Sequence, residues 1–360
     1  MQLSNHKIEY FTLFIIIFSA LYFCIINKYG WDWDTYAMFE TYLQLKDNGI
    51  YQKSRGAGYL IPEIGIGFLA FYFGSIVTNL TSFIFLFIGL IYFYKAGLKL
   101  INSKKVELSK FCCFIILCLS NHVIMRDSTI PMDYSWSFMF YSIGLYTLTK
   151  RKFEISILFF ALCFGSRFNF IAFIIPTILF IDKEYLKIND KIYHIIIIIF
   201  FGCLFYVPSW LQSQFSLSFI YSEQANFKNN SIFSIEEISR FTYKILKTFG
   251  IFAFLFIIYQ LIILRKIILK EKFFLIIIFF NLLVFFVFPW EPSFLWLSII
   301  TIFFILTQKI NFKLVYTLIF LNLFNWFYQA EIVSINYQVN NCFKNPINAK
   351  IKPHFSKGLV

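Results

Sequence analysis

The 360-residue chain is 59% hydrophobic and 14% charged, with a formal net charge of +13, whereas a soluble domain is about half apolar and about a quarter charged. An ordinary soluble globular protein is excluded. Nucleic acid is excluded as the reason for the positive charge, because the basic residues cluster in short segments between long apolar runs.

Those clusters lie at 95–110, 150–152, 183–191, 265–272 and 309–313. Short basic loops between apolar spans mark the cytoplasmic face of a membrane protein. The first apolar run, 11–26, is followed by Trp31-Asp32-Trp33-Asp34 rather than by a small-residue cleavage pattern, so it reads as a retained span and not a signal peptide.

If every basic loop lies on one side, the crossings between neighbouring loops must be even in number. The stretch 59–94 then has room for one crossing, assigned to 76–94, which leaves 59–74 as a helix in or dipping into the outer interface. The stretch 153–181 should go out and return with Arg167 at the outer bend, a single tilted span being the alternative. The remaining spans are 111–125, 134–148, 192–207, 248–264, 273–288, 294–306 and 314–327. The expectation is an all-α polytopic transmembrane bundle of about eleven crossings. It forms one membrane domain, 1–328, followed by an extracytoplasmic tail, 329–360.

This topology places the polar segments 28–58, 126–133, 209–247 and 289–293 on the outer side. With Glu63 of the outer helix and Glu331 of the tail, twelve of the nineteen acidic residues fall on that side, which directs the search for chemistry to that face. Asp32 and Asp34 sit among tryptophans at the membrane surface, where a carboxylate is costly to desolvate. Either could act as a general base toward a hydroxyl, and Asp34 could equally cap the helix that follows.

The chain has 26 lysines and six arginines, and Arg55, Arg126, Arg167 and Arg240 map to the outer face. A planar fork binds phosphate oxygens in a way a lysine cannot. The alternatives are that Arg126 pairs with Asp127 and that Arg167 snorkels to the interface. Asp133 opens a helix, where the dipole favours a carboxylate, and Glu291 stands between Pro289 and Pro292 in a rigid turn, placed to meet a sugar hydroxyl or to mark a polar turn.

The four histidines are scattered, and six of the seven cysteines lie in apolar runs, so neither a metal cage nor a disulfide framework is indicated. Phosphate-loop and nucleophile-elbow motifs are absent from the sequence. A sugar donor, if there is one, would be lipid-linked rather than a nucleotide sugar.

The order of motifs resembles the GT-C superfamily of polytopic membrane glycosyltransferases. The matching pieces are Trp31-Asp32-Trp33-Asp34-Thr35-Tyr36; Ser54-Arg55-Gly56-Ala57-Gly58-Tyr59 with Pro62 and Glu63; Asp133-Tyr134; Gly165-Ser166-Arg167; and the turn 288–295. The resemblance implies transfer of a sugar from a polyprenyl-phosphate donor to an extracytoplasmic glycan or lipid acceptor, with the catalytic base at Asp34 or Asp32. Arg55, Arg126 and Arg167 would then hold the donor phosphate, and Asp133, Glu63, Glu291 and Tyr59 would contact substrate. No cofactor is implied, and dependence on a divalent metal is left open. Two other classes fit a polytopic chain of this kind: a polysaccharide polymerase of the O-antigen or capsule type, and a lipid-linked oligosaccharide flippase without bond chemistry.

Overall fold

A computed structural model describes residues 3–30, 33–55, 57–103, 106–216, 235–287 and 291–325. Asp32 and the tail 329–360 lie outside the described residues. The described residues are all-helical, with no strand among them. Three helical stretches are long and apolar enough to cross a membrane, Glu9–Ile26, Leu60–Leu100 and Pro292–Lys309, and the number rises to five if two sharply bent helix pairs each count as one span. The other apolar helices run 10–17 residues.

At the centre stands α6, Asp133–Thr149, whose residues are buried on nearly every side. A helix that is apolar all round must be enclosed by others. Along it pack α3, Leu60–Leu100, and α7, Phe153–Ser166; α9, Ile188–Leu204, covers α7 in turn. Phe83, Leu86, Leu90 and Phe93 on α3 and Tyr141 and Leu145 on α6 are almost fully buried in this core.

Helix α3 is 41 residues long, about 60 Å at 1.5 Å per residue and twice the hydrocarbon thickness. It breaks at Gly74, whose φ of 75° and ψ of −177° are open essentially to glycine alone. The break divides a first arm from a second arm long enough to cross, at the boundary where the sequence separates an interfacial helix from a span.

Two expected spans are likewise broken. The run 111–125 is divided into α4, Leu108–Ser120, and α5, His122–Ser128, at an angle of 80°. Asn121 makes the break: its side chain accepts from the backbone N–H groups of Val123 and Ile124 and so caps the new helix, the usual asparagine N-cap geometry. The run 248–264 starts later than expected. It is α12, Ile251–Ile263, preceded at 92° by α11, Ile235–Phe249, with Gly250 between them.

Side-chain contacts show which loops share an end of the bundle. Arg151 donates to the Glu184 carbonyl at 2.6 Å, so the two ends of the 153–181 stretch meet, as a hairpin requires. Tyr185 donates to the Lys99 carbonyl at 3.0 Å, Gln308 to the Tyr94 hydroxyl at 3.2 Å, and Lys309 pairs with Glu271 at 2.6 Å. All five basic loops therefore gather at one end. Arg167, at the turn of the hairpin, lies at the other.

Six cysteines, among the described residues, are free thiols, and the five buried ones fill space in the core. Single cysteines introduced at Lys150 and Glu184, both exposed, should react with an impermeant maleimide from the same side of the membrane, and one at Ile50 from the opposite side. Labelling of positions 50 and 184 from one side would contradict this arrangement of ends.

Candidate functional site

Because α6 is the central helix, its first residue sits on the axis of the bundle at the end away from the basic loops. That residue is Asp133, fully buried. Its Oδ1 accepts from Arg167 Nη1 at 2.8 Å and its Oδ2 from Arg55 Nη2 at 2.9 Å. Arg55 reaches on with Nη1 to Asp34 Oδ2 at 2.6 Å. The result is one chain of alternating charge, Asp34, Arg55, Asp133, Arg167, drawn from four separate segments.

Each member is held by its own segment. Asp34 stands in the first turn of α2, Trp33–Asn48, where the helix dipole favours a carboxylate. That turn is tied to the loop before α6 by the Thr35 hydroxyl, which donates to the Pro131 carbonyl at 3.4 Å. Arg167 follows α7 with an extended backbone (φ −152°, ψ 119°) and is only 4% exposed. It does not snorkel. Its guanidinium lies 3.8 Å from the Tyr134 ring centroid and 5.2 Å from that of Phe294, a desolvated cation–π arrangement.

Arg55 is positioned by Glu63. That carboxylate is fully buried, and it accepts from the Ser54 backbone N–H at 3.1 Å, from the Ser54 hydroxyl and from the Tyr51 hydroxyl. The loop is also fastened to α10, Val207–Gln212, where the Lys53 backbone N–H donates to Gln212 at 3.1 Å. Gly58 permits this closeness: with φ +71°, a β-carbon there would stand 2.1 Å from the Ser209 hydroxyl. Glu63 thus braces the loop with its oxygens already taken.

Tyr59 connects the two cations, its ring centroid lying 4.6 Å from the Arg55 guanidinium and 5.9 Å from that of Arg167. At the edge of the cluster the Tyr134 hydroxyl donates to Glu291. Burial pushes the Glu291 carboxyl above its ordinary range; the Tyr134 hydrogen bond opposes the shift and Asp34 adds to it. Both Arg55 and Arg167 keep a buried Nε that finds no hydrogen-bond partner.

Arg126 is not part of this chain. Its Nε donates to Asp127 at 2.5 Å, and Asp127 also receives the Ser293 hydroxyl. The local pairing weighed from sequence is the one observed. Its helix α5 is joined instead to α11, where Asn121 Nδ2 donates to the Thr248 carbonyl at 3.0 Å, and the charge of Arg126 acts there on Lys244 and Lys247, two residues passed over within the segment 209–247. The signal was present in the apolar spacing Ile238, Phe241, Ile245, Phe249, which is helical and amphipathic. Among the described residues, no group of three or more His, Cys, Asp or Glu side chains is arranged to hold a metal.

No family model matches the chain, and neither curated proteins nor solved structures provide a match.

A carboxyl whose folded pKa is raised binds more protons in the native state than in the unfolded one. Its contribution to stability therefore falls as pH rises from the unfolded value toward the folded one. Glu291→Gln keeps an acceptor for Tyr134 and removes the charge. Melting curves from pH 4 to 8 should fall less steeply with pH for the variant than for the wild type, with the variant no less stable at pH 7. Parallel curves would show that Glu291 is not held in its protonated form.

Proposed function

We propose that the chain is a membrane glycosyltransferase of GT-C type that moves a sugar from a polyprenyl-phosphate donor to an extracytoplasmic glycan or lipid acceptor. In this reading it crosses the membrane about eleven times, with the Asp34 end outside. The observation that carries the reading is the pair of buried guanidiniums on one carboxylate, each with an Nε donor unsatisfied. Buried donors are rarely left unpaired, and a phosphate supplies the acceptors that two arginine forks can meet. The gathering of the basic loops at the opposite end supports the orientation.

The chemistry follows from the charge chain. Donor phosphate oxygens compete with Asp34 for Arg55, and Asp34 is thereby freed. Its carboxylate takes the proton of the acceptor hydroxyl as that oxygen attacks the anomeric carbon. The bond between the anomeric carbon and the phosphate oxygen breaks, and its electron pair leaves with the polyprenyl phosphate, whose charge Arg55 and Arg167 stabilise. Asp133 stays bridged between the arginines and orients them. Tyr59 and Glu291 border the space the sugar would enter, and Asp32 is the alternative base. Transport without bond chemistry would call for charge at mid-membrane depth, whereas this cluster lies at helix ends.

Purified protein assayed with a panel of polyprenyl-phosphate sugars tests the proposal. Asp34→Asn should lower turnover roughly 100-fold or more, the usual worth of a positioned base, with donor binding retained. Arg55→Lys and Arg167→Lys should weaken donor binding instead. Full transfer by Asp34→Asn would remove Asp34 from the role of base.

A further inference from the structure

A second cationic site lies beside the first. Helix α11 lies across the end of the bundle, with Phe241 packed on Phe285 and Phe286 at ring-centroid distances of 5.5 and 5.3 Å. With that face committed, its half-buried Lys244 and Lys247 stand within about one turn of Thr248, where α11 meets α5. The two helices are joined there by Asn121 Nδ2, which donates to the Thr248 carbonyl at 3.0 Å.

On α5, His122 and Arg126 are one turn apart and share a face. Arg126 repels both lysines, and Lys247 and Arg126 both act on His122. His122 is 7% exposed; its Nδ1 lies 3.3 Å from Asn325 Nδ2, and its buried Nε2 has no partner.

The local charge does not balance. Arg126 is matched by Asp127. Glu291 is the acid facing Lys244, yet it is bonded to Tyr134 and kept toward its protonated form by burial. Among the described residues neither lysine has an ion pair. Like charges brought together at a partly buried surface are destabilising unless an anion joins them.

We infer that His122, Arg126, Lys244 and Lys247 form a second anion site, which takes a phosphate group carried at the membrane surface. The amphipathic α11, with its apolar face on the bundle and its lysines at the end, suits a phosphate that arrives on a lipid. The central chain has two cations and two carboxylates of its own, so this second group of cations supplies the excess positive charge that the first does not. The site stands independently of the sugar-transfer reading. It would remain if Asp34 were not a base.

The full-length purified protein should be titrated with short-chain phosphatidic acid, a phosphomonoester lipid, and with phosphatidylcholine. Wild type should bind phosphatidic acid. The double variant Lys244→Gln/Lys247→Gln should bind it about tenfold or more weakly, at roughly fivefold for each basic side chain near an anionic headgroup. Phosphatidylcholine should not distinguish the two proteins.

The arginine pair Lys244→Arg/Lys247→Arg should bind like wild type. Competition by millimolar inorganic phosphate would assign the site to phosphate itself; its failure would assign it to the lipid headgroup with its chains. If the glutamine pair does not fold, the single Lys→Gln variants carry the same comparison. Equal affinity for phosphatidic acid in wild type and in a glutamine variant of unchanged melting temperature would overturn the site.

Discussion

The end of this bundle opposite the basic loops depends on one buried carboxylate. Asp133 has no solvent exposure and lies between two guanidiniums. Taking three charges out of water is costly, and the arrangement is stable only while every partner is present. Each arginine comes from a different segment, one from the loop before α3 and one from the turn after α7. Satisfying Asp133 therefore fixes the positions of three helix ends at once. Removing either partner leaves an uncompensated buried charge, a loss of about 3–5 kcal/mol in comparable cases.

Much of the remaining architecture serves that junction. The central helix α6 brings its N-terminus, with the favourable end of its dipole, to the axis where Asp133 sits. Glu63 spends its oxygens on Ser54 and Tyr51, and so sets the loop that carries Arg55. Tyr59 and Tyr134 present ring faces to the two cations, replacing part of the solvation lost on burial. Asp34 is the outermost member of the chain and the most exposed, its side chain at 26% against 11% for Arg55. Its pairing with Arg55 is therefore the link of the chain that solvent screens most.

The sequence carried the parts of this picture that depend on local composition. Long apolar runs and lysine-rich loops announce a membrane bundle with two unlike ends, and Arg151 reaching Glu184 brings the two ends of the 153–181 stretch together. Gly74 separates the two arms of α3 at the boundary that the even number of crossings between basic loops had already set. What stayed hidden depends on partners far apart in the chain. Asp133 could be placed at a helix start, but not between residues 78 positions before it and 34 after it. Arg126 has an acid next to it and takes it, so scarcity of arginine alone overstated its kinship with Arg55 and Arg167. The bends at Asn121 and Gly250 were missed because hydropathy does not register a change of direction within an apolar run.

The most direct test of this account is a double-mutant cycle on the central ion pair. Asp133→Asn, Arg167→Gln and the double variant would be compared with wild type by thermal unfolding of the purified protein in one detergent. The account predicts that each single change lowers the melting temperature strongly and that the double change lowers it by much less than the sum, since the second substitution removes the charge that the first left unpaired. Additive losses would contradict it, and would mean that Asp133 and Arg167 do not hold that end of the bundle together.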